Sequence, residues 1–145
     1  MSTATSGSSF QAAAGAQGRQ FALQCDSLLA TYGFSLSGAH HVPGVGVEVD
    51  QAAVSPHGAR IWFEYKGSIQ GNRPGLLRTD TLKKAIANGA LIGAVADHPP
   101  YIVLTSHLPT AGAGHEMLTT ALRLGYLADV VCIYDANEQL RLRDL

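Results

Sequence analysis

The chain has 145 residues, 46% of them hydrophobic, and a net charge of −1. That suffices for one domain with a real core, and no apolar run approaches the roughly 18 residues needed to cross a bilayer. The near-zero charge excludes a polyanion binder that works by bulk attraction, and no basic-then-apolar leader opens the chain, so an intracellular, cytoplasmic protein is expected. Cys25 and Cys132 lack any paired spacing and read as reduced thiols among apolar neighbours.

Residues 1–17 are Ser, Thr, Ala and Gly with almost no charge, which predicts a flexible tail ahead of a single domain over 18–145, although Ala12–Ala14 are able to extend the helix that follows. Phe21, Cys25, Leu28 and Leu29 fall at helical spacing between Arg19 and Tyr32, and Gly33 suits the stop. A short strand is expected within 34–42, ending at Pro43. Val47–Asp50 and Ile61–Lys66 then read as the arms of a β-hairpin turning at Ser55-Pro56-His57-Gly58.

Gly67 to Gly75 is a glycine-rich loop. A helix starts near Arg78-Thr79-Asp80, with Thr79 or Asp80 as its cap, and runs on through the small apolar stretch Ala85–Ala96. Tyr101–Thr105 is a wholly apolar strand between prolines, as expected at a sheet centre. His115–Leu124 predicts a further helix ending at Gly125, and Asp129–Tyr134 a last buried strand; Asn137–Leu145 is a short strand or a tail. The order implies an α/β (mixed α+β) fold, with a central mixed sheet, an early hairpin region and helices on both sides.

The hairpin carries the chemistry. Side chains on a strand alternate with a period of two, so Glu48 and Asp50 share a face, as do Trp62, Glu64 and Lys66. A three-residue loop pairs Ser55 with Ala59. It therefore sets Asp50 across from Glu64 and Glu48 across from Lys66, with Cβ atoms roughly 5 Å apart. Two carboxylates that close repel unless a cation joins them, and a divalent metal is the obvious one. An exposed strand face explains a Glu48–Lys66 pair but leaves Asp50 against Glu64 unexplained. Glu48 reads equally as a ligand for a second metal, a partner of Lys66, or an exposed residue.

Six of the ten basic residues, Arg60, Lys66, Arg73, Arg78, Lys83 and Lys84, lie within 60–84, where only Glu64 and Asp80 oppose them. Such a patch beside an acidic cluster suits a polyanion held next to a metal, and equally a solvated helix start. None of the six histidines has the i, i+4 spacing of a zinc site, and Thr105-Ser106-His107 lacks the partners of a hydrolase triad.

Asp50, thirteen residues, then Glu64-Tyr65-Lys66 resembles the core signature of the PD-(D/E)xK nuclease superfamily, and the element order from about Gly18 to Tyr134 resembles its restriction-endonuclease-like fold. The resemblance implies a Mg²⁺-dependent DNA endonuclease, with Mn²⁺ as substitute. Asp50, Glu64 and the Tyr65 main-chain carbonyl would be metal ligands, and Lys66 would assist the attacking water. Arg73, Arg78, Lys83 and Lys84 would contact phosphates. A single such site cuts one strand, which implies a homodimer or a larger partner, in a bacterial or phage setting. Two departures stand out. Many members carry a first-helix glutamate where Ala22 stands here, with Gln20 and Gln24 as substitutes or as ordinary surface amides, and Val49 replaces the proline before the first aspartate. The missing glutamate leaves a second expectation, a non-catalytic subunit that binds nucleic acid or protein.

Overall fold

Apolar residues that alternate along the strands fall into two buried clusters, one on each face of a mixed sheet. The computed structural model describes residues 6–67 and 74–145, and the side chains of these except at 6–14 and 17. Helix α1 (Ser6–Thr31) is followed by β1 (Ser35–Leu36), β2 (His40–Val42), β3 (Val47–Val49), β4 (Gln51–Val54) and β5 (Arg60–Lys66). Then come α2 (Thr79–Ile92), β6 (Tyr101–Thr105), α3 (Gly112–Leu124), β7 (Asp129–Cys132) and the short α4 (Ala136–Gln139).

The main sheet has the order β1-β4-β5-β6-β7. Its first three strands pair antiparallel, and β5, β6 and β7 run parallel. The switch follows from the connections. A tight turn, closed by Ser55 N–H donating to the Ala59 carbonyl, allows an antiparallel return, whereas α2 and α3 are crossovers that bring the chain back parallel. Phe21, Cys25 and Leu29 recur every fourth residue on α1 and bury that stripe against Ile61, Phe63, Ile102, Leu104 and Val131. On the opposite face Leu82, Ala85 and Ile92 of α2, with Leu118 and Ala121 of α3, cover Trp62, Tyr101, Val103 and Val130. Helices thus flank both faces, as the alternation of elements predicts.

Several expectations need correction. The stretch assigned to a flexible tail is helical from Ser6, in keeping with its alanine content. Val47–Val49 does not continue into the strand beside β5. It folds back on β2 as a separate two-stranded ribbon, because Pro43-Gly44-Val45-Gly46 is itself a turn, with Gly44 and Gly46 at positive φ. Glu48 is consequently paired with His41, not Lys66. At α2 the cap position is Arg78, without a side-chain cap bond, and Asp80 instead sits in the first turn, where a negative charge favours the helix dipole. The C-terminal residues form α4 and a 3₁₀ turn, Leu140–Asp144, in place of a strand or tail.

That C-terminal segment caps the outer edge of β7. Glu138 Oε1 accepts from the Cys132 N–H at 3.0 Å, and Arg141 Nη2 donates to the Val130 carbonyl at 2.9 Å while its Nε pairs with Asp129 at 2.9 Å.

The close approach of α2 to the turn after α3 depends on Gly89. A methyl carbon there would stand 2.1 Å from the Tyr126 carbonyl oxygen, a main-chain atom that has no rotamer to escape into. Helix propensity alone would make Gly89→Ala stabilising by about 1 kcal/mol, but overpacking of this kind costs about 1–3 kcal/mol or more and reverses the sign. We expect Gly89→Ala to lower the urea midpoint by the equivalent of about 1–2 kcal/mol with an unchanged m-value; an unchanged or higher midpoint would contradict this packing.

Candidate functional site

The β4–β5 ladder pairs Ala53 with Ile61 and Gln51 with Phe63 and ends there; Asp50, the next residue, leaves the ladder and brings its side chain within hydrogen-bond reach of the Glu64 carboxyl. Asp50 lies at a bend between β3 and β4. Its N–H donates to the Phe63 carbonyl at 3.1 Å, and its Oδ2 accepts from the Tyr65 N–H at 2.7 Å. The N–H and C=O of a strand residue point to the same edge, so the Tyr65 carbonyl also faces the side from which Asp50 approaches. Glu64, Lys66 and Trp62 share the face of β5 that α2 covers, as the period of two requires.

Glu64 is a buried acid. It is 3% exposed, whereas Asp50 is an exposed residue, so the cost of desolvation falls on Glu64. Its Oε2 accepts from the Tyr101 hydroxyl at 2.5 Å and from Asn88 Nδ2 at 3.3 Å. Burial, then the hydrogen bond and the charge of Asp50, push the Glu64 carboxyl up to about 8; the Tyr101 hydroxyl and the Lys66 ammonium pull it the other way and are outweighed. The same surroundings push the Tyr101 phenol up, through burial first and then the neighbouring Glu64 charge. Glu64, within hydrogen-bond reach of Asp50, thus keeps its proton near neutral pH, and a divalent cation is the other species able to join the two carboxyl groups.

The donor set fits a hard cation. Asp50 and Glu64 supply carboxylate oxygens and Tyr65 a main-chain carbonyl on the same edge, and Mg²⁺ held by two carboxylates retains several waters. Among the described residues no group of three or more His, Cys, Asp or Glu side chains is gathered as a metal site, so any centre here would depend on main-chain oxygen and water beside the pair.

Lys66 is half-buried at the end of β5, where its charge acts on Glu64. Its carbonyl accepts from Thr105 Oγ1 at 2.6 Å, which ties the ends of β5 and β6 together. Arg78, Lys83 and Lys84 are exposed on or beside α2. Lys84 is one turn before Asn88 and so on the Glu64 side of the helix. Lys83 instead lines the groove between α2 and α3, opposite Glu116 and Met117. Arg73 lies outside the described residues.

Glu48 is not part of this constellation; it is exposed on the separate ribbon, across from His41. Gln20 and Gln24 are also elsewhere. They line a shallow groove with Ser27 and Tyr134, where Gln24 Oε1 accepts from the Tyr134 hydroxyl, and α1 covers the opposite face of the sheet from Glu64. Nothing in the residue pattern marks Tyr101 or Asn88 as partners of Glu64. Both depend on the parallel β5–β6 register and on the docking of α2, although a lone phenol in a wholly apolar strand was a usable hint.

No protein-family model, curated protein or solved structure matches this chain.

A carboxyl raised from 4.5 to about 8 binds its proton more tightly in the folded state than in the unfolded one. Its contribution to stability is therefore complete below about pH 4.5 and is lost as the pH rises through 8. In metal-free buffer, the stability difference between wild type and Glu64→Gln should fall across that interval by up to about 1.4 kcal/mol per pH unit. Denaturant titrations at pH 5, 6.5 and 8 measure it, and a pH-independent difference would show that Glu64 titrates normally.

Proposed function

We propose that the protein is a metal-dependent nuclease that hydrolyses phosphodiester bonds in DNA. The observation that carries this reading is the Asp50–Glu64 carboxyl pair at the β4–β5 edge with Lys66 on the same face of β5. The fold supports it: a helix, antiparallel strands bearing the acids, a helix and a parallel strand are the parts expected of a restriction-endonuclease-like core.

Asp50, Glu64 and the Tyr65 carbonyl would hold a Mg²⁺ ion, with Mn²⁺ able to replace it. When bound, the ion polarises a phosphate oxygen and lowers the pKa of a coordinated water. The chain's own residues do the rest. Tyr101 and Asn88 grip Glu64 Oε2 and fix the carboxylate plane, while the Tyr65 N–H fixes Asp50 Oδ2. Lys66 places a positive charge beside the pair, where it stabilises negative charge building on the attacked phosphate and orients the water. Arg78 and Lys84 would contact flanking phosphates, which position the strand without reading its sequence. One such centre cuts one strand, so cleavage of a duplex calls for a second copy or a larger partner.

The test is nicking of supercoiled plasmid in Mg²⁺ or Mn²⁺. Wild type should relax it, and Lys66→Ala and Glu64→Gln should each be slower by about 10²-fold or more. DNA affinity measured in Ca²⁺ should survive both changes. If wild type and Lys66→Ala are equally inert while both bind DNA, the protein is a non-catalytic binding subunit. A second measurement addresses the phosphate contacts: Lys84→Ala should weaken binding to unrelated duplexes alike and reduce the log–log salt slope by about 1. An unchanged slope would remove Lys84 from the interface.

A further inference from the structure

On the far face of the sheet, directly behind the carboxyl pair, three polar side chains interrupt an apolar layer. Asp26 Oδ1 on α1 accepts from the Tyr65 hydroxyl at 2.6 Å and from Gln51 Nε2 at 3.1 Å. Gln51 Oε1 in turn accepts from the Gly38 N–H at 2.5 Å. Around them lie Cys25, Phe63 and Leu104, all fully buried.

The position of these residues in the sequence matters as much as their bonds. Gln51 directly follows Asp50, and Tyr65 stands between Glu64 and Lys66. The Tyr65 N–H is itself the donor that holds Asp50 Oδ2 at 2.7 Å. A single carboxylate oxygen therefore tethers both strands of the site, each at one residue's remove from an acid. Alternation sends the Tyr65 and Gln51 side chains to the face opposite Glu64, so Asp26 acts on the pair only through the main chain.

The same helix grips the far end of this segment. A methyl carbon at Gly67 would lie 2.3 Å from the Phe21 ring, so α1 lies hard against the residue that follows Lys66. Phe21 and Asp26 together brace 64–67 from behind. Holding a half-buried acid and phenol and a buried amide against an apolar layer costs desolvation that hydrocarbon side chains would avoid. What the polar trio provides in addition is direction, because each bond fixes an atom rather than merely filling space.

We propose that Asp26 is a positioning residue for the Asp50–Glu64 pair, acting through Tyr65 and Gln51 from the opposite side of the sheet. As a statement about a working nuclease it rests on the function proposed above. The tether itself does not.

The experiment combines a metal-free and a metal-dependent arm on wild type, Asp26→Ala, Asp26→Asn and Tyr65→Phe. The first arm is the chemical shift of the Tyr65 amide proton, which reports its bond to the Asp50 carboxylate. The second is Mn²⁺ affinity by calorimetry, together with the rate of plasmid nicking. Asp26→Ala and Tyr65→Phe should move the Tyr65 amide upfield. Both should lower Mn²⁺ affinity and kcat by about 10- to 100-fold, as loss of an outer-shell partner does elsewhere, with KM for DNA unchanged. Asp26→Asn keeps the Oδ1 acceptor and should recover most of the loss. A Tyr65 amide and a Mn²⁺ affinity unmoved in Tyr65→Phe, which deletes only one hydroxyl, would overturn the proposal even if Asp26→Ala failed to fold. Should wild type neither bind Mn²⁺ nor nick plasmid, the nuclease reading falls, and the metal-free amide shift alone decides whether Asp26 positions Asp50.

Discussion

Two carboxyl groups within a hydrogen bond of each other, one buried and one exposed, set the terms for their surroundings. Such a pair is stable only with a proton or a cation between its members. Burial of Glu64 favours its protonated form, and the Tyr101 hydroxyl and Asn88 amide both satisfy its Oε2. Neither partner of Glu64 lies on the hairpin. They come from β6 and α2, so the acid is held by three elements that meet only in the folded chain. A local hairpin alone would leave Glu64 solvated and ionised, with an ordinary affinity for protons.

Strand β5 serves two masters through its pleat. Ile61, Phe63 and Tyr65 face α1 and build one layer of the core, while Trp62, Glu64 and Lys66 face α2 and grade from apolar to charged along the strand. Trp62 at one end is 6% exposed and anchors the second layer, whereas Lys66 at the other reaches the rim. The gradient places a low-dielectric floor beneath Glu64 and leaves the Lys66 end at the rim. The site lies where β4 gives way to the β2–β3 ribbon, and there Asp50 turns in to meet the Tyr65 N–H.

Much of this was legible in the residues because it was local. The period of two assigned the faces of β5, and Pro56-His57-Gly58 pointed to the Ser55–Ala59 register, which carries the pairing as far as Gln51 with Phe63. The misreadings arose where the chain's local pattern was ambiguous. Val45 to Asp50 alternates as evenly as a strand that continues into β4, and nothing in that run marks the bend at Asp50 where it changes partners. Only the glycines at 44 and 46 hinted at an earlier turn, and they reassign Glu48 to a different ribbon. Asn88, Tyr101 and Asp26 stayed hidden for another reason. Their partners are between 24 and 39 residues away, and sequence spacing carries no information about contacts made by docking helices onto a sheet.

The capped border of β7 bears on how this molecule meets its neighbours. A sheet usually recruits another chain by offering a row of vacant main-chain donors and acceptors. Here Glu138 and Arg141 already occupy that row at Cys132 and Val130, and a newcomer would have to evict an ion pair before it could hydrogen-bond. Lateral growth from that side into a continuous intermolecular β-structure, including the stacking that seeds fibrils, is therefore closed off. Association along this flank must proceed by side chains alone.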